Sequence, residues 1–319
     1  MGDRTATSSS AARVGDPRLA GLVEPGVPVE CLGGGATWSE GPLWLPGEDA
    51  VIWSDIPHNR VLRWTAATGA VTVDRTDVEF TNGRCLDLTG RVVTCSHGRR
   101  AIERTNADGP TEVLVDRYGV ARLNSPNDVV VASDGAIWFT DPPYGILQPG
   151  EGHPGELEYG RCYVFRFEPD TGDLRPVVTD MEHPNGLAFS PDESRLYVAD
   201  TSAALRPDGT GNHHIRVYDL DGTRCTNGRV FAEVSPGLPD GLRVDVAGNV
   251  WTSSGDSVQV YAPDGTWLGK IGVPETVANL CFGGPDRDTL YIAATTSLYR
   301  LPTRTRGASP LDLVNGAVR

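Results

Sequence analysis

Six times along this chain, a segment opening on an acidic or amide residue runs into an apolar strand, a turn and a second apolar strand. The openings are Glu40, Asn82, Asn127, Asn185, Asp240 and Asn279, and the second strands end near Asp55, His97, Asp141, Asp200, Ser254 and Thr295. Opening and end lie 14 to 16 residues apart each time, whereas successive openings are 39 to 58 residues apart. A repeat that keeps its inner hairpin and varies elsewhere marks a radial array, most simply a propeller with one blade per repeat. The expected fold is therefore all-β: a six-bladed β-propeller with four antiparallel strands per blade. Equivalent positions in such an array face one axis, which would bring six oxygen-bearing side chains together.

Local signals agree. Helical periodicity is nearly absent, and short runs such as Ala136-Ile-Trp-Phe-Thr140 and Arg195-Leu-Tyr-Val-Ala199 are bounded by Gly, Pro, Asn and Asp. Ser133-Asp-Gly135 and Ala247-Gly-Asn249 carry hairpin-turn chemistry. Third strands are expected at 60–64, 163–167, 215–218 and 258–261. A ring must close or expose a sheet edge, so the N-terminal stretch 27–32 is expected to add the outermost strand of the last blade, beside 297–300. One propeller domain is expected over 18–319, closed by this N-terminal strand and preceded by a disordered tail over 1–17.

Strand direction puts the loops joining second to third strands on the same face as the openings. Two of them, 142–160 and 202–214, are long. Long loops on one face of a rigid scaffold wall a binding site.

The net charge of -14 argues against nucleic acid as a partner. No apolar run approaches the roughly 20 residues that span a bilayer, and residues 1–15 lack the apolar core of a signal peptide. The expectation is a cytoplasmic protein without a membrane partner. The six cysteines are scattered, with no CxxC, so a thiolate zinc site is not expected. Cys85 and Cys95 could face each other across the blade-2 hairpin, with buried thiols the expected state in a reducing compartment.

On the axis, Glu40 and Asp240 would bring charge, and Asn127 and Asn185 amide carbonyls. These are hard oxygen donors that suit Ca²⁺ and leave positions open for water or substrate. A lone Asn-Gly or Asp-Gly is more often a turn than a ligand. Repetition alone does not separate the two.

Glu40-Gly-Pro-Leu-Trp44, Asn124-Ser-Pro-Asn-Asp128, Asp141-Pro-Pro-Tyr-Gly145, His183-Pro-Asn-Gly-Leu187 and Pro239-Asp-Gly-Leu242, in this order, do separate them. Together they resemble the senescence marker protein/gluconolactonase/luciferin-regenerating enzyme family over residues 30 to 300, on the microbial gluconolactonase side. The resemblance implies a propeller hydrolase with one divalent cation, Ca²⁺ expected and Zn²⁺ or Mn²⁺ the alternatives. It carries the metal ligands onto Glu40, Asn127, Asn185 and Asp240. Where some animal members have an Arg two residues before the third-blade Asn, this chain has Ser125, with Arg122 slightly earlier.

The implied reaction is hydrolysis of a small-molecule lactone by a water attacking a polarised carbonyl. Asp240 is the first choice for general base and Asp128 the second, with a structural carboxylate capping the blade-3 turn as the alternative reading of Asp128. His97, Arg122, Tyr144, Glu158 and Asn82 are the candidate substrate contacts, and Asn279 fills the last ring position. The strand-end carboxylates Asp55, Asp141 and Asp200 are expected to tie blades together through turn hydrogen bonds. A phosphotriesterase-type hydrolase, or a scaffold propeller without catalysis, are the rival functions. Monomer and dimer both remain open.

Overall fold

The computed structural model describes residues 13–105, 110–206, 208 and 210–316. Most of the expected N-terminal tail lies outside them. Six sheets each carry four antiparallel strands in a meander. Blade 1 is formed by Ser39–Leu45, Ala50–Asp55, Arg60–Thr65 and Ala70–Thr76. Blades 2 to 5 repeat the plan, with innermost strands Thr81–Leu86, Val129–Val131, Pro184–Phe189 and Leu242–Val244. In blade 6, Val277–Gly283, Thr289–Ala294 and Ser297–Pro302 are completed by Glu30–Gly34 from the other end of the chain, with Cys31 opposite Tyr299. The ring closes as expected, with the closing strand a little further along. Blade 5 carries a short fifth strand, Arg13–Val14, on its outer edge, so backbone pairing reaches into the stretch expected to be tail.

Both faces of a blade are buried, which is why the strands read as continuous apolar runs. Six apolar clusters occupy the six seams between neighbouring blades. The second strand of blade 1 shows how: Val51 and Trp53 pack toward Tyr291 of blade 6, while Ile52, on the opposite face, packs toward Leu86 of blade 2. Strand alternation feeds two cores from one strand. Leu19, in the turn Pro17–Gly21, is fully buried with the cluster between blades 5 and 6.

At one end of the channel a cavity of about 300 Å³ is walled by side chains such as Leu43, Val131, Phe189 and Val244, and covered by the C-terminal helix Pro310–Val314. The openings lie at the other end. Opposite Cys85 in the blade-2 hairpin stands Val93 rather than Cys95, and both cysteines are free thiols. Among the described residues no helix is long and apolar enough to cross a membrane.

Candidate active site

Each opening sits where the innermost strand departs from regular pairing. Register shifts fall between Glu40 and Leu43, Thr81 and Arg84, Pro184 and Leu187, and Val277 and Asn279. A bulge of this kind re-aims a side chain; in blades 3 and 5 pairing starts only after the opening, at Val129 and Leu242. The glycine after the opening has a physical reason. A Cβ on Gly41 would stand 2.1 Å from the Asn82 carbonyl oxygen, one on Gly186 2.3 Å from that of Asp240, and one on Gly241 2.1 Å from the Asn279 side chain.

Through these close approaches the openings are bonded to one another. Gly83 N–H donates to the Asn127 carbonyl at 2.8 Å, Gly186 N–H to the Asp240 carbonyl at 3.0 Å, and Gly241 N–H to the Ala278 carbonyl at 2.8 Å. Asn279 Nδ2 donates to Glu40 Oε2 at 3.0 Å, joining the last blade to the first. Glu40 is buried, as are Asn82, Asn127, Asn185 and Asn279, and Asp240 is half-buried.

Burial pushes the Glu40 carboxyl up to about 7, against the hydrogen bonds from Asn279 and Gly41. Burial, and then the charge of Glu40, push Asp240 well above the ordinary carboxylate range. Two carboxylates taken out of water beside each other, with amide donors as their local relief, form a site that a cation would stabilise. The donor set is all oxygen: two carboxylates and the Asn127 and Asn185 amides. Asn82 Oδ1 is a further buried acceptor without a partner. These residues fit a hard divalent ion. Among the described residues no three His, Cys, Asp or Glu side chains close up as a metal cluster, in keeping with a set half made of amides.

The other candidates separate into distinct roles. Asp128 is fully buried, and its Oδ2 accepts from Arg243 Nη1 at 3.0 Å while its Oδ1 accepts from Val129 N–H at 2.9 Å. Both of its carboxylate oxygens therefore have a partner within the protein. His97 is fully buried and pushed down to about 4 by burial. Its Nδ1 donates to the Glu151 carbonyl at 2.9 Å, so Nε2 is the acceptor for Asn82 Nδ2 at 3.3 Å. Tyr144 lies in the short helix Tyr144–Leu147, buried, with its hydroxyl bonded to Thr201 and its ring edge-on to His183. It braces blade 3 against blade 4. Asn185 Nδ2 donates to the same Thr201 Oγ1 at 3.0 Å. Arg122 and Glu158 are brought to each other rather than to the ring. Glu158 Oε2 accepts from Arg122 N–H at 2.7 Å, and Arg122 Nη2 donates to the Arg99 carbonyl at 3.0 Å.

Asp55, Asp141 and Asp200 accept backbone N–H groups from the segment leading into their own blade: Thr37 at 2.8 Å, Asn124 at 2.7 Å and Glu182 at 2.9 Å. They staple each opening to its own hairpin rather than one blade to the next.

Three residues escaped the sequence reading. Arg84, fully buried, donates to the Gly41 carbonyl at 2.9 Å and to Ser54 Oγ at 2.6 Å, and burial lowers it to about 9. With Arg243 it lines the far cavity and so floors the ring. Glu151, half-buried on the 142–160 loop, is near enough to add its charge to both Glu40 and Asp240. The two arginines follow their blade's opening by two or three positions, a spacing that could have found them. No such signal marks Glu151.

Residues 38–296 match the model of the SMP-30/Gluconolactonase/LRE-like region. The chain belongs to this family. A gluconolactonase of Zymomonas mobilis is 33% identical over 91% of this chain and 85% of its own length. A pentonolactonase of Haloferax volcanii is 31% identical over 79% of this chain and 80% of its own. Among solved structures, a gluconolactonase from Xanthomonas campestris superposes with a TM-score of 0.86 at 41% identity, covering 95% of this chain and 98% of that one.

Proposed function

We propose that this chain is a lactone hydrolase of the gluconolactonase type, acting on a sugar lactone or another small lactone with a divalent cation on the propeller axis. The observation that carries the reading is the pair of neighbouring carboxylates, buried Glu40 and half-buried Asp240, in an all-oxygen ring. Relatives named for gluconolactone and pentonolactone hydrolysis, matching most of the chain, support it. Glu40, Asn127, Asn185 and Asp240 would hold the cation, with Ca²⁺ the ion that best suits such donors. When bound, the ion supplies Lewis-acid polarisation of the lactone carbonyl and stabilises negative charge on its oxygen.

The chain's own residues do the rest. Asp240 takes a proton from the attacking water at a carboxylate oxygen and returns it to the ring oxygen as the C–O bond breaks, leaving a hydroxy acid. Asn185 orients that carboxylate through its amide. Asp128 takes no proton in this scheme, because the Arg243 guanidinium and the Val129 N–H occupy its oxygens.

The test is hydrolysis of glucono-1,5-lactone followed with a pH indicator, together with a panel of unsubstituted lactones. Wild-type protein is expected to be active and Asp240→Ala inactive. Wild-type inactivity across the panel would overturn the reading.

A further inference from the structure

The loop 142–160 enters the site by a route that specifies one residue. Gly152 accommodates a turn of the chain back on itself: a Cβ there would lie 2.2 Å from the Gly145 carbonyl oxygen. Gly145 in turn packs where a Cβ would meet the His97 side chain at 2.6 Å. His97 then holds the Glu151 carbonyl at 2.9 Å, and is itself held by Asn82 of the ring. Farther along, His153 pairs with Glu79 at 3.1 Å and stands edge-on to Phe80. The backbone at 151 is thus fastened from both sides, and to the ring.

The side chain delivered there is a half-buried carboxylate that makes no hydrogen bond or ion pair with any described residue. An unpaired carboxylate away from bulk water has a free-energy cost that a bound donor removes. Its charge reaches Glu40 and Asp240. The three do not close into a metal cluster among the described residues, so Glu151 is a neighbour of the ring carboxylates and not a third member of their pair.

We propose that Glu151, carried over the ring by the 142–160 loop and positioned by His97, accepts hydrogen bonds from the hydroxyls of a neutral polyhydroxylated lactone and selects such substrates over bare lactone rings. The assignment rests on the lactonase reading and names its substrate class. A carboxylate only accepts, and a polyol lactone presents several O–H donors on an uncharged ring. A site built to bond a substrate hydroxyl discriminates strongly against the analogue that lacks it, because its own polar group is then left unpaired. The same carboxylate repels the anionic hydroxy acid once the ring has opened, which favours product release.

The experiment compares kcat/KM on glucono-1,5-lactone and δ-valerolactone for wild type, Glu151→Gln and Glu151→Ala. Calorimetry on the same three proteins measures binding of glucono-1,5-lactam, an uncharged analogue, and of Ca²⁺. The expected result for Glu151→Ala is a loss of roughly 100-fold on gluconolactone, mostly in KM, and of less than about 3-fold on valerolactone. Glu151→Gln, which keeps one acceptor, should fall between. Lactam affinity should drop in step while Ca²⁺ affinity holds. Equal losses on both lactones, no loss on either, failure of wild type to bind the lactam, or weakened Ca²⁺ binding in the variants would each overturn the assignment. Lactam binding that depends on Glu151 in a wild-type protein that hydrolyses neither lactone would instead overturn the lactonase reading and leave hydroxyl recognition standing.

Discussion

Arg243 of blade 5 and Asp128 of blade 3, 115 residues apart in the chain, meet beneath the ring with 3.0 Å between Nη1 and Oδ2. The pair ties blade 5 to blade 3 past blade 4, and it holds Asp128, the residue next to Asn127.

Removing one partner of such a buried pair strands the other's charge, which typically costs about 3–5 kcal/mol. Arg243→Met should therefore lower unfolding stability in urea by that amount. An unchanged midpoint would mean the pair does not hold the floor of the ring.

Asp200 accepts from Glu182 N–H at 2.9 Å, His183 N–H at 3.3 Å and Ser202 N–H at 3.1 Å, just ahead of and behind the blade-4 hairpin. Asp200→Ala orphans these donors, each worth about 1–3 kcal/mol when buried. It should both lower the melting temperature and weaken cation binding, because the segment leading into Asn185 loses its anchor. Calorimetric titration and a thermal melt on one sample would show whether the two effects travel together.

Gly186 lies against the Asp240 carbonyl, so Gly186→Ala forces blades 4 and 5 apart. Overpacking of this kind costs about 1–3 kcal/mol. The larger consequence expected is a loss of cation affinity, since Asn185 and Asp240 are displaced relative to each other. An alanine variant that binds as wild type does would show that the close approach is not needed.

His97 is held neutral, its pKa lowered by burial from 6.5 to about 4. Between those values the unfolded chain binds a proton that the folded protein does not, so this histidine's contribution rises with pH across that window. The contribution is complete above pH 6.5 and fades as pH falls toward 4. Stability measured over this range should change less steeply in His97→Gln than in wild type. Identical slopes would contradict a buried neutral ring.

How far this was legible from residues alone depends on periodicity. The six openings recur at one position of a repeated hairpin, so one observation located them all and foretold the blades, while the family motifs singled out Glu40, Asn127, Asn185 and Asp240 among them. Glu151 belongs to no repeat. It comes near the ring only because a loop doubles back at Gly152 and is caught by His97, contacts that no local pattern encodes. The Asp128–Arg243 pair was hidden for another reason: each residue looks like an ordinary strand or turn position, and only closure of the ring brings them together. Tyr144 stood out for its hydroxyl; in the structure that buried phenol has Thr201 as its partner, a contact between blades that the local sequence does not encode.

The most direct test of the central claim, a cation-dependent lactonase, is to strip the protein with a chelator and titrate Ca²⁺ back while recording occupancy and the rate of glucono-1,5-lactone hydrolysis on the same sample. Negligible rate is expected at zero occupancy and a rate that rises in proportion to occupancy, with neither binding nor activity in Glu40→Ala. A rate that is the same in stripped and loaded protein would contradict it.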